Sequence, residues 1–250
     1  MRHAETGPGT ARIRWSELPG DEPARVYLHG LGNASGASFA HVAAHPLLAG
    51  RRQLLLDLFG FGLSDRPADF GYGIADHADA VAAALDSAGV TGAEVVGHSM
   101  GGSVAVVLAA RRPDLVSRLV VAEATLDPAV ERGRIGRHTE DGFVSGGHED
   151  VLAAVDSEWR ATMRLAGRVG LYRSAAGFWA ESFPPVREML LRMDIPRTFV
   201  RGERGEPLDG AEELRAAGVR LDVVRNAGHT MMFDNPDGFI HAVATGLAHD

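Results

Sequence analysis

The chain has 250 residues, a formal charge of −8 and no cysteine, with 45% apolar and 23% charged residues. That size fits one generous α/β domain, or one domain with an insertion, and buries a core without disulfides or metal. The missing cysteines exclude a disulfide framework, thiolate zinc sites and a cysteine nucleophile, and the acidic balance argues against sequence-independent binding of nucleic acid.

Met1 to Thr10 holds no apolar stretch, so no signal peptide is expected. The strongest apolar run, Val104 to Ala110, is too short to span a membrane. The expectation is a soluble, cytoplasmic protein without a membrane partner. Short Val/Leu-rich runs predict strands at Arg12–Trp15, Arg25–Leu28, Gln53–Asp57, Glu94–Gly97, Arg118–Ala122, Thr198–Arg201 and Leu221–Arg225. Helical patterns fall at Ala75–Ser87, Met100–Arg111, Gly210–Ala217 and Pro236–Ala248. This alternation predicts an α/β fold with a mostly parallel central sheet and helices on both faces. Between Ala122 and Thr198 no strand is evident, yet structureless loops of such length are improbable in a compact domain. Leu126–Asp194 is therefore expected to be a helical cap over the sheet edge, inserted between core segments 1–125 and 195–250. Its charges are nearly balanced, and it carries Trp159, Phe178 and Trp179.

Ligands of open parallel sheets bind beyond the carboxyl ends of the strands. There the segment Gly97-His98-Ser99-Met100-Gly101 matches Gly-x-Ser-x-Gly between a strand and a helix. Such a turn is tight enough to need glycine on both sides, and it lifts the serine hydroxyl above the sheet at a helix N-terminus. A serine hydroxyl needs an adjacent base. His229, in a Gly-containing loop after the last strand, has the placement to take the proton from Ser99 and return it to a leaving group. His29 and His98 also end strands, but both flank glycines and are expected to be structural. His41 and His45 have the i, i+4 spacing of a metal pair without a third ligand, so no metal is expected. Gly60-x-Gly62 lacks the third glycine of a dinucleotide fingerprint, because Asp65 stands there. No cofactor is expected.

Four motifs together make the chain resemble the α/β-hydrolase superfamily over nearly its whole length. They are His29-Gly30-Leu31-Gly32, the turn Asp57-x-x-Gly60-x-Gly62-x-Ser64-Asp65-Arg66, the nucleophile elbow around Ser99, and Asn226-Ala227-Gly228-His229. The resemblance implies an α/β-hydrolase fold, a Ser99–His229 pair, and an oxyanion hole from the backbone N–H groups of Leu31 and Met100. It also exposes a departure. The family's usual acid slot, after the strand that follows the cap, holds Gly205. Glu206 stands one residue further on, and Glu123 ends the strand after the nucleophile helix, where one branch of the haloalkane dehalogenases carries its acid. Glu123 is the expected acid, 2.6–3.2 Å from His229 Nδ1, with Glu206 as the alternative.

The function expected from these residues is a serine hydrolase that cleaves a small or medium apolar ester, thioester or lactone through an acyl-enzyme. Trp159, Phe178 and Trp179 are expected to line part of its substrate pocket. The alternatives are a non-hydrolytic ligand-binding protein of the same fold, and a C–C hydrolase or cyclase acting on a biosynthetic intermediate.

Overall fold

A computed structural model describes residues 1–155 and 157–248. Eight strands form one sheet: β1 (Arg2–Glu5), β2 (Arg12–Leu18), β3 (Asp21–Leu28), β4 (Arg51–Asp57), β5 (Ala93–His98), β6 (Val116–Ala122), β7 (Arg197–Gly202) and β8 (Arg220–Val224). Their order is β1-β2-β4-β3-β5-β6-β7-β8. Pairs β1/β2 and β2/β4 are antiparallel, and all others are parallel. The α/β architecture is the one expected. The strand that sequence patterning misses is β1. Only Ala4 of its four residues faces the core, so it has no alternation to read, and its pairing with β2 alone defines it.

Side chains on the central strands alternate between the two faces, as a period of two requires. Val26, Leu28, Val95, Leu119 and Val121 pack on one face beneath α2 (Ile74–Ser87) and α3 (Met100–Arg111). Tyr27, Val96, Val120 and Ala122 pack on the other against Phe39 and Val42 of α1 (Ser35–Ala43) and Phe239, Ile240 and Val243 of α11 (Pro236–Ala248). Burial on both faces makes these strands continuous apolar runs. A charged pair in this layer, Arg25 and Glu94, sits opposite in register and is closed by a 2.6 Å ion pair. Buried charges persist when paired in this way.

Between β6 and β7 the described residues are helices and loops. A 3₁₀ turn at Ile135–Arg137 leads to α4 (Glu140–Gly142), which runs through a π turn (Phe143–Gly147) into α5 (His148–Ala153). Then come α6 (Ser157–Leu165), α7 (Arg168–Ala176) and α8 (Val186–Arg192). This interval is tied to the loops that follow β3 and β4. Trp159 Nε1 donates to the Leu31 carbonyl at 2.8 Å, Gly167 N–H to the Gly60 carbonyl at 2.8 Å, and Arg173 to the Ala68 carbonyl at 2.9 Å. Ser174 Oγ lies 3.0 Å from His77 Nε2 inside the core. Beyond β7 come α9 (Ala211–Ala216), α10 (Met231–Asp234) and α11. Among the described residues no helix is long and apolar enough to cross a membrane.

Candidate active site

Ser99 stands alone between the end of β5 and the first residue of α3, with φ 52° and ψ −120°. A positive φ at a non-glycine residue costs on the order of 1–3 kcal/mol and persists only where its surroundings enforce it. Here they do. A Cβ on Gly97 would overlap the backbone of Gly101 and Gly102, and one on Gly101 would overlap the carbonyls of Leu28 and His29. The Ser99 N–H is held by the Ala122 carbonyl at 2.8 Å. The chain can therefore reverse only through Ser99, which leaves its Oγ at the head of α3.

His229 lies in the loop between β8 and α10, and its Nε2 is 3.1 Å from Ser99 Oγ. The loop is pinned on both sides of it. Gly228 N–H donates to Asp234 Oδ2 at 2.7 Å, and Asn235 Nδ2 donates to the Arg225 carbonyl at 2.8 Å. The imidazole side chain remains 47% exposed, so the pair is open to solvent and substrate.

Glu123 is the carboxylate that faces His229, but it is not hydrogen-bonded to it. Its Oε2 lies 3.7 Å from Nδ1, beyond the expected 2.6–3.2 Å. The reason is a competing donor: Oε1 accepts the Gly202 N–H at 2.7 Å, which draws the carboxylate toward the end of β7. Glu123 itself has a φ of 48°, in the left-handed region, directly after β6. Glu206 is exposed, and it lines a cavity of about 440 Å³ together with Glu123, His229 and the Asp127–Arg187 ion pair.

On the other side of Ser99 runs the loop after β3. A Cβ on Gly30 would stand 3.2 Å from Ser99 Cβ and 3.0 Å from His98 Nδ1, so glycine lets this backbone pass against Ser99. His29 fixes the peptide that follows. Its Nε2 accepts the Leu58 N–H at 3.1 Å, which leaves Nδ1–H to donate to the Gly30 carbonyl at 2.8 Å. Burial holds the His29 imidazole below its ordinary pKa, in the neutral form this arrangement needs. In a trans peptide the N–H points opposite to the carbonyl. Anchoring the Gly30 carbonyl therefore also sets the direction of the Leu31 N–H. Met100, the first residue of α3, is fully buried. The glycines of the next turn have a similar cause: the space beside Gly62 is filled by the Asp57 carboxylate, which accepts the N–H groups of Ser35 and Leu63.

Trp159, Phe178 and Trp179 share one apolar cavity of about 380 Å³, and Leu31 lines it as well. The Trp159–Leu31 hydrogen bond ties this cavity to the loop beside Ser99. Sequence reasoning missed the Gly202 N–H, a backbone donor that no residue type announces. His98, expected to be structural, is buried with Nε2 at 2.8 Å from the main-chain carbonyl of His229. His41 and His45 do not converge. His41 Nε2 meets the Met232 carbonyl at 3.1 Å, while His45 lies past the end of α1 and bonds the Leu47 N–H.

Known proteins share this arrangement of elements. The chain is 35% identical over 268 positions to an sn-1-specific diacylglycerol lipase from Mus musculus, covering 94% of this chain and 85% of that protein. It is 37% identical over 96 residues to a 2-hydroxymuconate semialdehyde hydrolase from Pseudomonas putida, a match over 38% of this chain and about a third (34%) of that relative. The solved enol-lactonase of Burkholderia xenovorans superimposes with a TM-score of 0.84 at 21% identity, covering 99% of this chain and 100% of that one. The esterase of Exiguobacterium antarcticum does so at 0.82 and 20%, covering 98% of each chain. A family model described as alpha/beta hydrolase fold matches residues 26–144. On this fold and this kinship, the chain belongs to the alpha/beta hydrolase family, whose members matched here include hydrolases.

Proposed function

We propose that the protein is a serine hydrolase acting on a small or medium apolar ester, thioester or lactone. The observation that carries this reading is the 3.1 Å contact of His229 Nε2 with the hydroxyl of the strained Ser99. Ser99 Oγ attacks the acyl carbon as His229 takes its proton. His229 then gives that proton to the leaving group as the bond to it breaks. The N–H groups of Leu31 and Met100 stabilise the tetrahedral oxyanion. Water, deprotonated by His229, releases the acyl group from Ser99. Glu123 orients the imidazole and stabilises the imidazolium that forms in each step. The cavity lined by Trp159, Phe178 and Trp179 receives the apolar part of the substrate beneath the helical cap, 126–194. The chemistry asks for no group beyond these side chains and water, and the expected setting is the cytoplasm.

Turnover of a panel of p-nitrophenyl esters, thioesters and lactones by the wild type, abolished by Ser99→Ala, supports the reading. A panel turned over equally by both proteins defeats it. A second reading of the same serine and histidine is C–C bond hydrolysis, so a β-diketone-like compound belongs in the panel.

A further inference from the structure

We propose that His98 is a positioning residue, a ring wedged between the oxyanion loop and the catalytic-base loop that sets the depth of His229 over Ser99. This rests on the hydrolase reading above and adds a residue to it.

The backbone of His98 is fixed by the sheet, in register with Ala122 of β6, and the next residue is Ser99 itself. The residue is 3% exposed. Nε2 lies 2.8 Å from the main-chain carbonyl of His229. A carbonyl only accepts, so Nε2 carries the proton and Nδ1 is bare. Burial, reinforced by His229 nearby, pushes the His98 pKa down to about 3, so this single-proton form is held at neutral pH. The bare Nδ1 is buried with no hydrogen-bond partner among the described residues, facing Gly30, where a Cβ would stand 3.0 Å away. The rings of His98 and His229 are 4.9 Å apart and tilted by 55°.

One side chain thus touches Gly30 and His229 while sharing a peptide with Ser99. The tethers at Gly228 and Arg225 hold the flanks of the His229 loop. The His98 bond holds the base at its own backbone, and it runs to the strand that carries the nucleophile. A misplacement of about 1 Å in such an arrangement costs on the order of 10²-fold in rate.

The test compares His98→Phe, which keeps a ring and loses the donor, with His98→Gln, whose amide N–H reaches about as far as Nε2. For His98→Phe, kcat on p-nitrophenyl butyrate should fall about 10- to 100-fold with KM within about twofold, and His98→Gln should recover most of the loss. His98→Asn, whose amide stops a methylene short, takes the place of the Phe variant should that fail to fold. Full kcat in the donorless variant, or equal loss in the Gln variant, overturns the proposal. A crystal structure reads the same point without turnover. The His229 Nε2 to Ser99 Oγ separation should exceed about 3.5 Å in the donorless variant, and an unchanged separation overturns the proposal. A wild type inert toward every ester in the panel would instead count against the hydrolase reading.

Discussion

Gly205 stands against the carboxylate of Glu123: a Cβ on Gly205 would lie 3.2 Å from Glu123 Oε1. The loop after β7, where the family resemblance puts the acid, and the end of β6 converge on one point beside His229. Glu123 occupies that point from β6, and glycine at 205 leaves it room.

Glu123→Gln keeps the shape and removes the charge. Its kcat should fall by orders of magnitude, toward the ~10⁴ typical when a triad acid becomes an amide. Hydrogen bonds of free enzymes often tighten only as charge develops, so 3.7 Å in the resting site is compatible with that role. Glu206→Gln should stay within a few-fold of wild type. Steady-state kinetics on one ester decides, and the reverse pattern would move the acid to Glu206.

Ala175 is 3% exposed and lines the apolar cavity with Trp159 and Trp179. Ala175→Leu adds three carbons to that space. At about 0.8 kcal/mol per methylene denied burial, kcat/KM for a decanoate ester should fall about tenfold or more relative to butyrate. An unchanged chain-length profile would place the acyl group elsewhere.

The strand–serine–helix segment is legible in sequence because its requirements are steric: Gly97 and Gly101 are needed where backbone meets backbone. Central strands announce themselves through burial on both faces, whereas β1 buries one alanine and leaves no pattern. Glu123 is legible as a charge directly after an apolar strand, a costly placement without a partner. Its distance from His229 is not legible, since the Gly202 N–H that competes for it belongs to the main chain. The joint lining of one cavity by Trp159, Phe178 and Trp179 depends on how α6 and the residues after α7 come together beside Leu31, which composition does not encode.

Acid should weaken the fold. His77 is completely buried, and burial pushes its pKa down to about 3; His98 behaves alike. In the unfolded chain each takes up a proton as pH falls through about 6.5, while the folded protein does not until about 3. Stability is therefore full above pH 6.5 and declines between 6.5 and 3, by about 1.4 kcal/mol per pH unit for each histidine. His77→Gln should lower stability at pH 7.5 by losing the ring's packing, yet flatten the decline toward pH 5 by one proton. Urea midpoints at the two pH values measure this, and an undiminished slope would contradict it.

Intact-protein mass spectrometry after exposure to a fluorophosphonate tests the assignment of Ser99 as nucleophile most directly. A nucleophile held 3.1 Å from its base should take up one phosphonyl group per wild-type chain within minutes, and Ser99→Ala should take up none. Equal labelling of the two proteins, or a wild type that stays unlabelled, would contradict the account.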